Sequence, residues 1–385
     1  MSSAPIQQVS RIRNLAASFV EPIVELTTKI SEVPAPTNDE GDRAAFVYEQ
    51  LPALGFTDVR IDALHNVTGR VKGKDSSACL LLAGHLDTVF PRDVDLAVRR
   101  AGDVLSGPGI GDNSVSVASV ALVAQALDRL GIVPAVDLVI TGNVGEEGLG
   151  DLRGMRAVVD GLPDIGGAIA VEGHSLGRIT HRAVGSRRLR VTVTGPGGHS
   201  WGAAGLPSAI HHLARLVAHL DDIPLTANPK TSFNAGLFQG GISVNTIAPE
   251  AVAVLDMRST SATALQELVG HVEDVLAMPA PQGITVNVDV VGDRPAGELP
   301  ADTGLVPIAS GVLQELGFEV ALDASSTDAN IPISRGIPSV CIGLTTGGNV
   351  HRVDEYIHIS PLAQGFAQLL LTTLRSAEAI AAGSL

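Results

Sequence analysis

Five short segments carry side chains that could hold or activate a small group. They are His85 and Asp87 in GHLDT, Asp112 in GPGIGDNS, Glu146 and Glu147 in GNVGEEGLG, Glu172 at the end of GAIAVE, and His351 in GGNVHRVDEYIHIS. His85 and Asp87 stand two residues apart, so on extended backbone both point to one side. A carboxylate beside an imidazole is the arrangement that fixes the tautomer of a metal-binding histidine, although two polar residues in a surface loop would read the same. Asp112 follows glycines that let the backbone approach another group closely, and a helix is expected from about Ser114, so it could equally cap that helix. Glu146 and Glu147 are adjacent on a Gly-bounded loop and point in different directions. One can ligate a metal while the other faces the metal's water, or both belong to a solvated acidic turn. Glu172 ends an apolar strand, where a lone carboxylate costs several kcal/mol to bury unless it is paired or metal-bound. His351, taken singly, reads as a surface or capping histidine. Together the His, Asp, Glu, Glu, His set supplies nitrogen and carboxylate oxygen for two divalent ions, zinc first among them, with one carboxylate bridging.

These residues need elements to bring them together. Up to about residue 180, helical and strand signals alternate with short turns, as in α/β units around a mostly parallel sheet with helices on both faces. An amphipathic stretch at 9–32 leads into PAPTNDEG, where Asn38 or Asp39 is expected to cap a helix carrying Ala44, Phe46, Val47 and Leu51. Apolar strands are expected at 79–85, 135–143 and 167–173, with a helix over 115–130. The crevice outside the carboxyl ends of such strands is where ligands bind in open α/β sheets, and the chemical residues arrive at that edge. From about Ala183 the texture changes to the strict alternation of RRLRVTVTG. A helix at 208–220, strands at 242–247 and 251–258, a helix at 262–277 and a strand at 284–290 follow. That β-α-β-β-α-β order suits a ferredoxin-like α+β sandwich, inserted over 184–293. A helix at 302–316, a strand at 339–344 and a helix at 361–382 return to the first texture, so 1–183 and 294–385 are expected to form the catalytic domain.

The chain has 385 residues, 45% of them apolar, which is enough for two cores. Lys and Arg total 26 against 41 Asp and Glu, a net charge of −15. That field repels nucleic acid and anionic membrane surfaces, and an aromatic content of 3% argues against a base-stacking single-strand binder. The N-terminal MSSAPIQQVSRIRNLAASF lacks the apolar core of a signal peptide, and no window is expected to span a membrane, so a cytoplasmic location is expected. Cys79 and Cys341 sit in apolar, β-branched runs and read as core packing.

The segments GHLDT, GD before a helix, GEEG, AVEG, GGHS and GNVH occur in an order and spacing that resemble one family over essentially the whole chain. It is the family of two-zinc metallopeptidases and acylases that includes aminoacylase, carboxypeptidase G, acetylornithine deacetylase, succinyl-diaminopimelate desuccinylase, peptidase T and carnosinase. The resemblance implies that His85 and Glu172 hold one zinc, Glu147 and His351 the other, and Asp112 bridges them, with a cis peptide after it; cobalt or manganese are alternative metals. Glu146 would be the general base and Asp87 would clamp the His85 ring. His199 in GPGGHS would stabilise the oxyanion from the partner subunit of a homodimer, assembled through the inserted lid or dimerisation domain. Asn245 and Arg258, expected on neighbouring strands of that domain, would bind the substrate's carboxylate, for which an arginine fork is a natural receptor. The implied reaction is hydrolysis of an amide in a small peptide or N-acyl amino acid by metal-activated water, with Glu146 moving the proton. Glu172, where peptidase T and carnosinase relatives tend to carry Asp, leans towards acylases and carboxypeptidases, with aminopeptidase or dipeptidase as the alternative. Asn113 and Ser114 stand where many relatives carry an acid and a lysine, and Gly145 stands where an acid often precedes the Glu pair.

A serine hydrolase is the competing reading. GHSLG and GHSWG both match G-x-S-x-G, with Ser175 or Ser200 as nucleophile and Asp328 and His351 downstream. That elbow needs strand, tight turn and helix in immediate succession, whereas RITHRAVG after Ser175 is β-like and no helix is expected after Ser200 until about Pro207. The reading also leaves four carboxylates unused. A non-catalytic binder on the same fold would be marked by a lost ligand or base, and all six positions are filled. The other histidines, His174 among them, receive no role.

Overall fold

The uninterrupted apolar runs CLLLAGH, VDLVITGN, IGGAIAVE and SVCIG form the centre of the main sheet in the computed structural model, which describes residues 3–385, with side chains from Gln7 onward. Asp75–His85 pairs in parallel with Val136–Asn143 on one side and Ile165–Glu172 on the other, and Ser339–Gly343 runs parallel to Ile165–Glu172. Val67–Val71 and Thr57–Ile61 extend one edge in antiparallel fashion. Arg178–Ala183 extends the other, and carries Ala321–Ser325 in parallel. Strands buried on both faces read as continuous apolar runs. Leu80 and Leu82 pack into the core shared with the helices Val115–Ala121 and Leu362–Ala381, while Cys79, Leu81 and Ala83 pack against Met155, Val158 and Val159 of the helix Arg153–Gly161. Helices therefore cover both faces, and both cysteines are buried and free. The parallel register sets His85 opposite Asn143 and Glu172 opposite Gly343, and Ala83 opposite Ala170, so four strand ends finish level.

Several local expectations change. The stretch 9–32 is two helices, Ser3–Ser18 and Val20–Ser31, broken at Phe19, and 115–130 is Val115–Ala121 and Val123–Leu130, joined at Leu122. Glu40, not Asn38 or Asp39, precedes the helix Gly41–Gln50 and makes no side-chain cap bond; its carboxylate accepts the Asn38 N–H and the Arg153 guanidinium instead. The segment Ile110–Leu130 does meet the length and hydropathy of a membrane span, against expectation, but 89% of that window is buried inside the fold.

The chain divides into two units, one formed by residues through Ala183 with Leu299–Leu385, the other by Val184–Glu298. In the second, four antiparallel strands lie in the order Thr231–Gly240, Glu250–Ser259, Gly185–Thr194, Thr285–Arg294. The helices Ala209–Asp221 and Ala262–Leu276 pack on them around Leu189, Val191, Leu216, Leu255, Met257 and Val272. The β-α-β-β-α-β order holds, but its second strand is Thr231–Gly240 and not 242–247. Asn234, Gly236 and Gly240 interrupt the alternation there, and the pairing slips between Ala235 and Leu237. Residues 242–245 form a bend and turn, and only Thr246–Ile247 is extended, paired with Gly198–His199. The expected boundary at 293 falls inside the strand Thr285–Arg294, and the unit runs on to Glu298.

Candidate metal centre

His85 closes the strand Asp75–His85 with its side chain buried. Its Nε2 lies 3.1 Å from Asp112 Oδ1 and 3.9 Å from Glu172 Oε2. The other oxygen of Asp112, Oδ2, lies 3.1 Å from His351 Nε2, which stands 3.0 Å from Glu147 Oε1. Two donor groups result, His85, Asp112, Glu172 and Asp112, Glu147, His351, each with ligand atoms within 4.8 Å of one another, and Asp112 belongs to both. His85, Glu146 and Glu147 form a third group by the same measure.

Local conformation explains the convergence. Asp112 sits in the tight turn Ile110–Ser114, entered through Gly109 at φ 66°, a conformation glycine adopts freely. The bond from Asp112 to Asn113 is cis, as the resemblance implied. Asn113 Nδ2 donates to the Val171 carbonyl at 2.8 Å, tying this turn to the strand that ends in Glu172. His351 reaches in from a loop at φ 65°.

Asp87 differs from expectation. His85 Nδ1 faces the backbone carbonyl of Asp87 at 3.0 Å, while the Asp87 carboxylate is 3.6 Å away. That carboxylate instead accepts the N–H groups of Glu146 at 3.0 Å and Glu147 at 2.9 Å, and the Thr37 hydroxyl at 3.0 Å. Fully buried Arg43, which the sequence did not flag, donates to the carbonyls of Ser31, Val33 and Leu86, the last lying between His85 and Asp87. Burial pushes its pKa down to about 10, and the Asp87 charge works against that shift. Two further residues were missed. Buried Glu355 accepts the Asp112 N–H, and His174 stands against Glu355. Their signals were their spacings, four residues after His351 and two after Glu172.

The charges strain against one another. Burial raises the Glu147 carboxyl to about 7, helped by the charge of Asp112, and burial lifts Glu172 well above the usual range, with Asp112 and Asp328 adding to it. Burial also opposes ionisation of Asp112, but the His351 and His85 rings beside its two oxygens hold it below the usual carboxylate range. The Asp112 bond raises His351 to about 9 against the effect of burial. His85 is raised too, although burial alone would lower it. A divalent cation fits this set. The donors are imidazole nitrogen and carboxylate oxygen, and buried His85 Nε2 makes no well-angled hydrogen bond despite the nearness of Asp112.

The other expected residues lie in the second unit. His199 is on Gly198–His199, and its Nδ1 accepts the N–H groups of Trp201 and Gly202. Asn245 lies in the turn before Thr246 and accepts the Ser243 hydroxyl, so it is not on a strand beside Arg258. Arg258 is on Glu250–Ser259 and donates to Asp256 at 2.6 Å. Neither serine has an elbow. Ser175 is followed three residues later by the strand Arg178–Ala183, and the first helix after Ser200 begins at Ala209.

Residues 81–375 match the model of Peptidase family M20/M25/M40. The chain belongs to this family. As a member, it is a metal-dependent hydrolase of amide bonds. It is similar to a succinyl-diaminopimelate desuccinylase of Corynebacterium glutamicum, 26% identical over 87% of this chain and 91% of that protein. It is also similar to a probable carboxypeptidase of Arthroderma otae, 24% identical over 65% of this chain and 61% of that one. The fold matches a tripeptidase from Staphylococcus aureus with a TM-score of 0.79 at 21% identity, covering 93% of this chain and 99% of the other. A Cβ at Gly145 would collide with the Arg153 side chain, whose guanidinium fills that space.

Proposed function

We propose that the enzyme hydrolyses the amide bond of an N-acyl amino acid or small peptide carrying a free carboxylate, using two divalent ions, zinc by preference. His85 and Glu172 would hold one ion, Glu147 and His351 the other, and Asp112 both. The observation that carries this reading is the placement of Asp112, each of whose oxygens faces a different histidine at 3.1 Å. Bound ions would acidify water and polarise the amide carbonyl. Glu146, buried on the same loop as Glu147, takes the proton from the attacking water and hands it to the leaving nitrogen. Asp87 aims that loop by holding both of its backbone N–H groups. Arg258 and Asn245 bind the substrate carboxylate, and His199, supplied by the partner subunit of a homodimer, donates to the oxyanion. Support for these three roles is the resemblance of their motifs, and support for the substrate class is the kinship with a desuccinylase and a carboxypeptidase. A cytoplasmic location belongs to the same proposal.

The test is a hydrolysis screen of N-acyl amino acids against free dipeptides and tripeptides, with metal content measured on the same preparation. Turnover of N-acyl amino acids or peptides, lost when their carboxylate is amidated, is the expected result. Turnover indifferent to that carboxylate, and dependent on a free amine, would replace the reading with an aminopeptidase.

A further inference from the structure

Glu355 is a carboxylate with no exposure to solvent. Its Oε1 accepts the backbone N–H of Gly111 at 2.9 Å and of Asp112 at 2.8 Å, and His174 Nε2 stands 3.0 Å from the same oxygen. Oε2 accepts the Gly109 N–H at 3.1 Å. A carboxylate has about four lone-pair sites, and four donors crowd this one, three at Oε1 and one at Oε2. Such charge-assisted bonds are roughly twice as strong as neutral ones. The donors come from segments that each carry one of the site's side chains. Gly109, Gly111 and Asp112 form the turn that presents Asp112. His174 follows Glu172 by two residues, and Glu355 itself follows His351 by four. The packing leaves little freedom, since a Cβ at Gly111 would collide with His174 Nε2 and one at Gly347 would press on the His174 ring.

We infer that Glu355, steadied by His174, is the positioning residue for Asp112. By holding the backbone N–H of Asp112 and of its neighbours, it fixes where the shared carboxylate stands and keeps its two oxygens aimed at His85 and His351. The inference rests on the proposed metal centre, because its effect is on the binding of ions. A carboxylate that merely stabilised the fold would change the melting temperature of the metal-free protein and leave ion binding alone.

The experiment compares wild type, Glu355→Gln, His174→Ala and Asp112→Asn. Zinc affinity is measured by competition with a chromophoric chelator, the visible spectrum is recorded after cobalt loading, and the melting temperature is taken without metal. Glu355→Gln keeps the shape of the side chain but replaces one acceptor with an amide donor, so N–H groups of the Asp112 turn lose their partner. Both Glu355→Gln and His174→Ala should bind at least one ion about 10–100-fold more weakly, with an altered cobalt spectrum, in addition to whatever fall in metal-free melting temperature the lost bonds bring. Unchanged affinity and spectrum in both variants, whatever their melting temperatures, would overturn the inference. If Glu355→Gln does not fold, His174→Ala decides, since it removes one donor of four and no backbone contact. Asp112→Asn separates the two levels. If wild type binds no zinc, or Asp112→Asn binds it as tightly as wild type, the metal centre itself fails. If Asp112→Asn loses an ion and the other two variants do not, only the role of Glu355 fails.

Discussion

Asp87 grips Glu147 by the backbone, its Oδ2 accepting the Glu147 N–H at 2.9 Å while Oδ1 takes that of Glu146 at 3.0 Å. The carboxylate thus sets the loop of the glutamate pair more directly than it sets the His85 ring. Asp87→Asn leaves one oxygen for two N–H groups and turns a donor towards the loop. The expected loss is about 10–100-fold in kcat, with KM changed less. Wild-type kcat in this variant would show that the loop holds itself.

Glu146→Gln and Glu147→Gln should part company. The first is expected to lower kcat by about 10²–10⁴-fold, the usual worth of a general base, while both metal ions stay bound. The second should lower metal content, because Glu147 Oε1 lies against His351 and in the Asp112 donor group. Metal analysis beside steady-state kinetics separates them, and near-normal turnover by Glu146→Gln would remove that residue from the reaction.

Chelation should abolish activity, and zinc, cobalt or manganese should restore it. Closely packed acids including Asp112, Glu147 and Glu172 are the reason. Full activity after exhaustive chelation, together with inactivation by a serine-directed reagent, would return the chemistry to Ser175 or Ser200.

The proposed partner role of His199 can be read by mixing subunits. Inactive His199→Ala and inactive Glu146→Gln chains, exchanged into heterodimers, should regain activity, since one of the two sites then has its own Glu146 and an intact His199 from the other chain. Verified exchange without recovery, or an active monomer, would exclude action across subunits.

Asp137 gives a pH-dependent stability. It accepts the Gly73 N–H and the Ser76 hydroxyl at 2.8 Å and the Arg70 guanidinium at 2.6 Å, pinning three neighbouring strand segments. Burial alone would raise its pKa, but these bonds together hold it below the usual value of 3.8. A carboxyl depressed in the folded state stabilises above its unfolded pKa and loses that contribution as pH falls through the folded one. Asp137→Asn should therefore cost about 2 kcal/mol at pH 7, and the gap to wild type should shrink once the pH drops below about 4. Denaturant midpoints at pH 7 and pH 3 measure it, and a gap that does not change with pH would refute it.

The strands that end in His85 and Glu172 were legible because burial on both faces demands uninterrupted apolar residues. The strand Thr231–Gly240 was not, since much of it is exposed and its glycines and Asn234 break the alternation on which such a reading depends. The candidate ligands were legible as residue types beside glycine. The backbone partner of Asp112 was not, because Glu355 reaches it across 243 positions of sequence through a backbone N–H, a contact that leaves no residue-type signature at the receiving end. The hold of Asp87 on the glutamate loop was not legible for the same reason. The residue shows in GHLDT, but the choice between a ring and two backbone donors is made by the fold of a loop far along the chain.

The chain leaves the first unit after Ala183 and rejoins it at Leu299, where the Leu299 N–H donates to the His181 carbonyl at 3.2 Å and the Leu299 carbonyl faces His181 Nδ1 at 2.8 Å. Exit and return share one doorway. A short turn could close that gap at the cost of the two-residue edge strand Gly297–Glu298, leaving the order of the other strands in the main sheet unchanged. The entropy of closing a flexible loop rises by only about 0.6 kcal/mol for each doubling of its length. The doorway is therefore a graft point, at which segments of very different size could be exchanged over evolutionary time, or by design, while the strand ends that carry His85 and Glu172 keep their level register.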